Sequence, residues 1–425
     1  MEAELRNVPR IISGQAKRQV RRVLRLLSPK SPERPRPGRK ARGMRIAFFT
    51  DTYLPNVDGV VNSIRSYRGE LERRGHSVCI LTSGSSGDAD ENQDPEVYYF
   101  KSVVFPPYPQ YKIALFPLNA GKIVEDNASQ IVHSHAIASM GIAAVAAAKL
   151  KKLPLVGTFH TMAPKAGFLV AKGEIAKSIF SAVSWKAIEQ YYKPYDLVMA
   201  PTETIRRQLE ENGVERTTVV PNGLDLARFS PAIDGRLVRR MLGIRDDEKV
   251  VLTAGRLSEE KNVDVVVNAA AEVLKHEKAR FLVQGDGPAK AKCMKLAKKL
   301  ELGDRMIFTG FVKDYEVPFF YAAADVFVTA STFETQGLAL LEAMATGKPC
   351  IGADSLAIPE VIHSGKNGFL FEPFNEMDLS GKIVDVLRMK SAERRKMGQE
   401  ARREAARFSI KKSTDRLVAA YKSVL

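Results

Sequence analysis

Residues 250–261 read Val250-Val251-Leu252-Thr253-Ala254-Gly255-Arg256-Leu257-Ser258-Glu259-Glu260-Lys261. The first five are apolar or β-branched and show no alternation with polar residues. Strands buried on both faces have this composition, and they belong to parallel sheets covered by helices. The run stops at Gly255 and delivers two cations, Arg256 and Lys261, at a strand-to-helix junction. Ligands of open parallel sheets bind at the carboxyl ends of the strands. A helix N-terminus flanked by Arg and Lys has the chemistry of a diphosphate site.

Outward from this stretch the same unit recurs. On its C-terminal side, apolar strand candidates cover 280–284, 305–309, 325–329 and 349–352; on its N-terminal side they cover 45–50, 77–82, 130–134, 154–158 and 196–200. Helical stretches separate them, which predicts an α/β chain of doubly wound parallel sheets. The series restarts after Thr217-Thr218-Val219-Val220-Pro221-Asn222-Gly223, so two Rossmann-like domains are expected, 44–219 and 220–409. A last helix over 410–425 follows the second series and is expected to pack back on the first domain.

The chain of 425 residues carries a net charge of +16, concentrated in residues 1–43, where 13 Lys/Arg face 3 Asp/Glu. Ile12, Ala16, Val20, Val23 and Leu27 recur at helical spacing against Lys17, Arg18, Arg21, Arg22 and Arg25. This is a basic amphipathic helix suited to an anionic membrane surface. Its alternatives are a disordered leader or a start at Met44. The body lacks a basic patch interleaved with aromatics, which argues against a nucleic-acid partner. No run reaches the ~18 apolar residues of a membrane span. Three cysteines, Cys79, Cys293 and Cys350, form no metal-ligand or disulfide framework and fit core packing in a reducing compartment.

Other chemistry-bearing residues also fall where strands end. Glu334 and Glu342 lie in Glu-Thr-Gln-Gly-Leu-Ala-Leu-Leu-Glu, with Gly337-Leu338 expected to start a helix. Glu334 then sits in the loop and Glu342 about one turn into the helix, and carboxylates accept well from sugar hydroxyls. Gly59 and Val60 stand between the first strand and its helix, where a glycine lets backbone approach a ligand. Gly285 lies in Gly285-Asp286-Gly287-Pro288, which alone is a weak turn signal. His135 and His160, two of six histidines, end consecutive strands, as Asp51 and Tyr53 follow the first. A zinc site is not expected, on the ground that His133 and His135 point to opposite sides of a strand and no further ligand completes a set. Nucleophile-elbow, Walker and HExxH motifs are absent.

Thr50-Asp51-Thr52-Tyr53-Leu54-Pro55 with Gly59-Val60, His133-Ser134-His135, Thr158-Phe159-His160-Thr161, Val220-Pro221-Asn222-Gly223, Gly255-Arg256-Leu257 with Lys261, Gly285-Asp286-Gly287-Pro288 and Glu334 eight residues before Glu342 occur in this order. Over residues 44–425 the chain resembles the family 4 retaining glycosyltransferases, which have the two-domain GT-B fold with a cleft between the domains. The resemblance implies that Arg256 and Lys261 bind the donor diphosphate, Glu342 the ribose and Glu334 the hydroxyls of the transferred sugar. It implies donor contacts also at Gly59, Val60, Gly285, Gly337 and Leu338, a nucleobase pocket lined by Phe311 and Val312, and His135 at the donor sugar. Asp51, Tyr53 and His160 become candidates for the acceptor side. No carboxylate pair stands out as acid and nucleophile, so the two cations would stabilise the departing diphosphate, with no metal or other cofactor needed.

Within the family, residues 50–61 and 334–338 look most like lipid glycosyltransferases, enzymes of glycolipid synthesis. The expected reaction moves glucose or mannose from a UDP- or GDP-sugar to a membrane lipid such as diacylglycerol. The enzyme would be cytoplasmic and peripheral on the inner face of the membrane, held there by its basic tail. The alternatives are a soluble or protein-linked glycan acceptor, or a nucleotide-sugar epimerase or phosphorylase of the same fold. The first-domain loops 108–116 and 162–173 are expected to select the acceptor.

Overall fold

The computed structural model describes residues 43–56, 58–104, 112–115, 117–162, 164 and 173–425. The basic helix and proline-rich linker expected before residue 43, and most of both acceptor loops, lie outside these residues. The described chain divides into two compact units, one of residues 43–223 with Phe408–Leu425 and one of Leu224–Arg407.

In the first unit the strands are β1 (Arg45–Thr50), β2 (Ser77–Gly84), β3 (Val97–Val104), β4 (Lys112–Ala114), β5 (Ile131–Ser134), β6 (Leu155–Thr158), β7 (Leu197–Ala200) and β8 (Thr217–Val219). They form one sheet in the order β4-β3-β2-β1-β5-β6-β7-β8, parallel except for the β3–β4 pair. The inner strands are buried throughout, as their unbroken apolar runs require: Ile46, Ala47, Phe48 and Phe49 of β1 are at most 1% exposed. Helix Ile410–Lys422 belongs to this unit. Its Leu417 and Tyr421 enter the core beside Ile64, Tyr67 and Leu71 of helix Gly59–Arg73.

The second unit holds β9 (Lys249–Ala254), β10 (Ala279–Gln284), β11 (Met306–Gly310), β12 (Val326–Thr329), β13 (Cys350–Ala353) and β14 (Gly368–Phe371). All are parallel, in the order β11-β10-β9-β12-β13-β14. Helices Val263–His276 and Glu376–Arg388 cover the sheet with Val266, Val267, Val273, Ile383 and Val386. In each sheet the chain starts in the middle and reverses its direction of travel, between β1 and β5 and between β9 and β12. Such switch points leave a crevice at the carboxyl edge, which is where this architecture receives ligands. The three cysteines are free and buried.

Candidate functional site

In the unit Leu224–Arg407 the loops after β9, β10, β11 and β12 are joined by backbone. Gly255 N–H donates to Gln284 O at 3.0 Å, Leu257 N–H to Asp286 O at 3.0 Å, and Gly285 N–H to Gly310 O at 3.0 Å. Gly285 and Gly287 have φ of 128° and 156°. A Cβ on either would collide with the Gly255 or Leu257 carbonyl oxygen. The tight approach of these loops therefore needs both glycines, which raises the weak turn signal of the sequence to a structural requirement.

Lys261 ends a short 3-10 turn, Glu259–Lys261, before Asn262 takes the left-handed conformation and helix Val263–His276 begins. The Asn262 amide donates to Ala330 O at 3.0 Å and so ties this turn to the loop after β12. Across that tie, Lys261 Nζ lies 2.6 Å from Glu334 Oε1. Burial opposes ionisation of Glu334, but the Lys261 ammonium and the Ser331 hydroxyl hold its carboxyl below the usual carboxylate range. Arg256 is partly buried on the same loop as Lys261. Gly337, at φ 78°, caps helix Leu338–Ala345, which places Glu334 in the loop and Glu342 on the helix.

Glu342 has a different environment. Tyr321 Oη donates to Glu342 Oε2 at 2.9 Å. Burial dominates and pushes the Glu342 carboxyl up to about 7, against the pull of Arg228. Phe311, just past β11, is 68% exposed, while Val312 packs beside Phe319 and Phe320. Tyr321 and Arg228 were not recognised as site residues from the sequence. Tyr321 lies in the apolar helix Val317–Ala323 and reads as core there.

In the first unit a small pocket sits at the switch point. It is lined by Thr50, Asp51 and Thr52 after β1, Val60, then His135, Ala136 and Ile137 after β5, and Thr158, His160 and Thr161 at the end of β6. Gly59 and Val60 open helix Gly59–Arg73, which Asp58 caps by accepting from Val61 N–H at 2.8 Å. His135 Nδ1 is 2.9 Å from His160 Nε2. His135 Nε2 and Thr52 Oγ1 are buried without a hydrogen-bond partner among the described residues, although both residues line the pocket. Buried polar atoms are rarely left so.

The expectation that His133 and His135 point to opposite sides is corrected by the structure. Their ring centroids are 4.0 Å apart. The chain stays extended, with His135 N–H donating to Phe49 O at 2.7 Å, and residues two apart on a strand share a face. They do not become a metal pair, since His133 Nδ1 meets Tyr421 Oη and Nε2 meets Thr158 Oγ1, both at 2.7 Å. No group of three or more metal-ligating side chains occurs among the described residues.

Asp51 lines the pocket but works as a cap. Its carboxylate accepts from Ala138 N–H at 2.9 Å and Met140 N–H at 3.0 Å, at the start of helix Ser139–Lys151, while burial pushes its carboxyl up. Tyr53 is 5% exposed in the core and does not line the pocket.

Burial keeps all three pocket-side imidazoles neutral, pushing His133 down to about 3, His160 to about 4 and His135 well below its ordinary value. A depressed imidazole adds stability above its unfolded value of 6.5, and that stability is lost as pH falls toward the folded value. Between pH 7 and 5, His133 alone is expected to cost about 2 kcal/mol. Thermal unfolding against pH checks this: His133→Gln should flatten the slope below pH 6.5, and an unchanged slope would refute it.

Two switch-point parallel sheets, one with a Lys–Glu pair at its carboxyl edge and an arginine on the lysine's loop, have the architecture of the GT-B glycosyltransferases. The comparisons with known proteins agree. Residues 57–228 match the family "Glycosyltransferase Family 4" and residues 236–404 match "Glycosyl transferases group 1". The alpha-monoglucosyldiacylglycerol synthase of Streptococcus pneumoniae is 35% identical over 351 residues, 81% of this chain and 78% of that protein. The GDP-mannose-dependent alpha-mannosyltransferase of Mycolicibacterium smegmatis is 27% identical over 90% of this chain and 98% of its own. The fold is similar to the crystal structure of Anabaena HepE in complex with UDP and glucose, with a TM-score of 0.72 and 20% identity over 90% of this chain and 100% of that one. The chain belongs to the family 4 glycosyltransferases and is a hexosyltransferase.

Proposed function

We propose that the enzyme transfers glucose or mannose, with retained anomeric configuration, from a nucleoside-diphosphate sugar to a membrane lipid of the diacylglycerol type. The observation that carries the transfer chemistry is the Lys261–Glu334 pair at 2.6 Å. It sets a cation for the diphosphate and a carboxylate for sugar hydroxyls within one contact, on loops that converge at a switch point. The identity with the diacylglycerol-acting relative supports the acceptor class.

In this reading the unit Leu224–Arg407 holds the donor. Arg256 and Lys261 take the diphosphate, Glu342 the ribose, and the exposed Phe311 ring, with Val312, the base. Glu334, with the backbone at Gly337 and Leu338, positions the sugar. The first unit supplies the orphaned His135 Nε2 to the reacting sugar, with Gly59 and Val60 at the start of their helix. The bond from the anomeric carbon to the β-phosphate oxygen breaks as charge builds on the diphosphate. The acceptor hydroxyl adds to the same face of that carbon, and its proton passes to a phosphate oxygen of the departing nucleotide. Arg256 and Lys261 stabilise the growing negative charge, the kind of preorganised electrostatics that contributes most to such steps. His135 and His160, held neutral by burial, hydrogen-bond rather than carry a proton.

Incubation with UDP-glucose or GDP-mannose and diacylglycerol in detergent micelles is expected to yield an α-glycosyl lipid and free nucleoside diphosphate. A β-linked product would overturn retention. Transfer only to soluble glycans would overturn the lipid acceptor. Interconversion of the nucleotide sugar without any acceptor would identify an epimerase instead.

A further inference from the structure

We infer that Tyr321, backed by Arg228, is a positioning residue of the donor site: its hydroxyl holds one oxygen of Glu342 and leaves the other for the nucleotide. This deepens the donor-site reading and rests on it for the ligand, the ribose of a nucleoside diphosphate.

The place of the hydroxyl is fixed by the core. Tyr321 is 1% exposed, and its ring lies between those of Phe229 and Phe327, with centroids 5.8 Å away on each side. Its helix, Val317–Ala323, is pinned at the C-terminal end, where Lys348 Nζ donates to Ala322 O at 2.8 Å and to Ala324 O at 2.7 Å. A buried tyrosine hydroxyl needs a hydrogen-bond partner. Among the described residues Tyr321 has one, Glu342 Oε2 at 2.9 Å.

The carboxylate rests on an equally fixed backbone. The helix Leu338–Ala345 ends in a clamp, since Arg402 donates to Ala345 O as well as to Leu226 O and Phe229 O. Thr346 Oγ1 donates to Glu342 O at 2.9 Å. The bond from Tyr321 then stops the rotation of the carboxylate. Oε2 is taken, and Oε1 has no hydrogen-bond partner among the described residues.

The two carboxylates of this region are held by different chemistry. Glu334 meets a cation, Lys261, at 2.6 Å. Glu342 meets a phenol, and burial together with the charge of Glu342 pushes that phenol well above its ordinary value, so it stays a donor. A neutral donor aligns a carboxylate without cancelling its charge, which remains for the ribose hydroxyls, and bonds to an ionised acceptor are the strong ones. The charged groups that act on Glu342 are Arg228 and Asp314, of opposite sign. They are tied to each other. Arg228 Nη2 donates to Asp314 O and Oδ1, both at 2.6 Å, and the guanidinium lies 5.0 Å over the Phe229 ring that packs on Tyr321. Asp314 follows β11 in the same loop as the exposed Phe311. Arg228 thus joins the loop proposed to carry the base to the carboxylate proposed to hold the ribose.

The experiment compares Tyr321→Phe with wild type in thermal unfolding of the full chain, without ligand, on both sides of pH 7. Loss of the hydroxyl makes Glu342 harder to ionise, so the native state keeps its proton to higher pH. The melting temperature of Tyr321→Phe is expected to fall further behind wild type as pH rises above 7. A packing defect alone would leave a gap that does not change with pH. Taking the difference from wild type cancels the titration of the histidines. In the Glu342→Gln background the pH-dependent part should vanish. Arg228→Gln should move the dependence in the same direction, because it removes the cation that favours the carboxylate. Titration with UDP and with GDP supplies the second readout. Whichever binds should bind Tyr321→Phe about fivefold or more weakly near pH 7, and the deficit should narrow at higher pH. A stability gap independent of pH, or one whose pH-dependent part persists in the Glu342→Gln background, would overturn the inference. With the stability result intact, nucleoside-diphosphate affinity equal in Glu342→Gln and wild type would sink the ribose reading alone.

Discussion

Lys261→Ala is expected to lower kcat/KM by about 10²–10³-fold, the usual cost of removing one preorganised group that stabilises charge in the transition state. The loss should fall mainly on kcat, because the diphosphate gains charge only as the sugar bond breaks. The substitution also removes the partner of a half-buried carboxylate, since Lys261 Nζ is 2.6 Å from Glu334 Oε1. A drop in stability is therefore expected as well, and the two effects have to be separated. The double variant Lys261→Ala/Glu334→Gln does this. Glutamine is neutral, so no unpaired charge remains, and the melting temperature should return toward wild type. Turnover should not return, because neither the cation nor the carboxylate has been restored. Recovery of turnover in the double variant would show that Lys261 only neutralises Glu334.

Much of the first sheet and most of the second could be read from the sequence because their central strands are buried on both faces. The runs at 45–50, 77–82 and 250–254 are almost wholly apolar, and their positions follow from that. The strands not anticipated, β3, β4, β8 and β14, lie at or next to sheet edges. Edge strands lose one neighbour, and part of their burial with it. β8 is three half-buried residues, Thr217–Val219, and reads as the separator between two series.

At the site, the sequence located Lys261 and Glu334 separately, but 73 residues part them and no local pattern shows that they touch. Asn262 was invisible for a related reason. Its amide bridges two loops only because its backbone adopts φ 47°. The opposite failure occurred at His133 and His135, where the period of a strand was available and was applied the wrong way. Asp51 was a residue of the right type at the right edge, but its oxygens cap a helix that starts 88 residues later.

Glu342→Gln is expected to stabilise the enzyme and to weaken its donor binding. Burial pushes this carboxyl up to about 7 from an ordinary 4.5, so the native state holds a proton that the unfolded chain has released. Stability therefore falls as pH rises from 4.5 through about 7 and stays low above it. At pH 8 the wild type bears a penalty of about 2–3 kcal/mol that glutamine, which cannot ionise, avoids. Tyr321 Oη can still donate to the glutamine oxygen, as it does to Glu342 Oε2 at 2.9 Å. In a domain of this size the gain corresponds to a rise of about 4–10 °C in melting temperature, largest above pH 7 and vanishing below pH 5. Donor affinity should move the other way. If Glu342 accepts from the ribose hydroxyls, loss of the ionised acceptor removes about 1.5–3 kcal/mol per bond, which is about 10–150-fold in affinity. For the wild type, affinity should improve as pH rises through 7 and the carboxylate forms, and this dependence should vanish in the variant. The environment of Glu342 explains why both effects belong to one residue: a carboxylate kept away from water is costly in the empty enzyme and effective once two sugar hydroxyls reach it. Equal donor affinity in Glu342→Gln and wild type at pH 8 would remove Glu342 from the donor site.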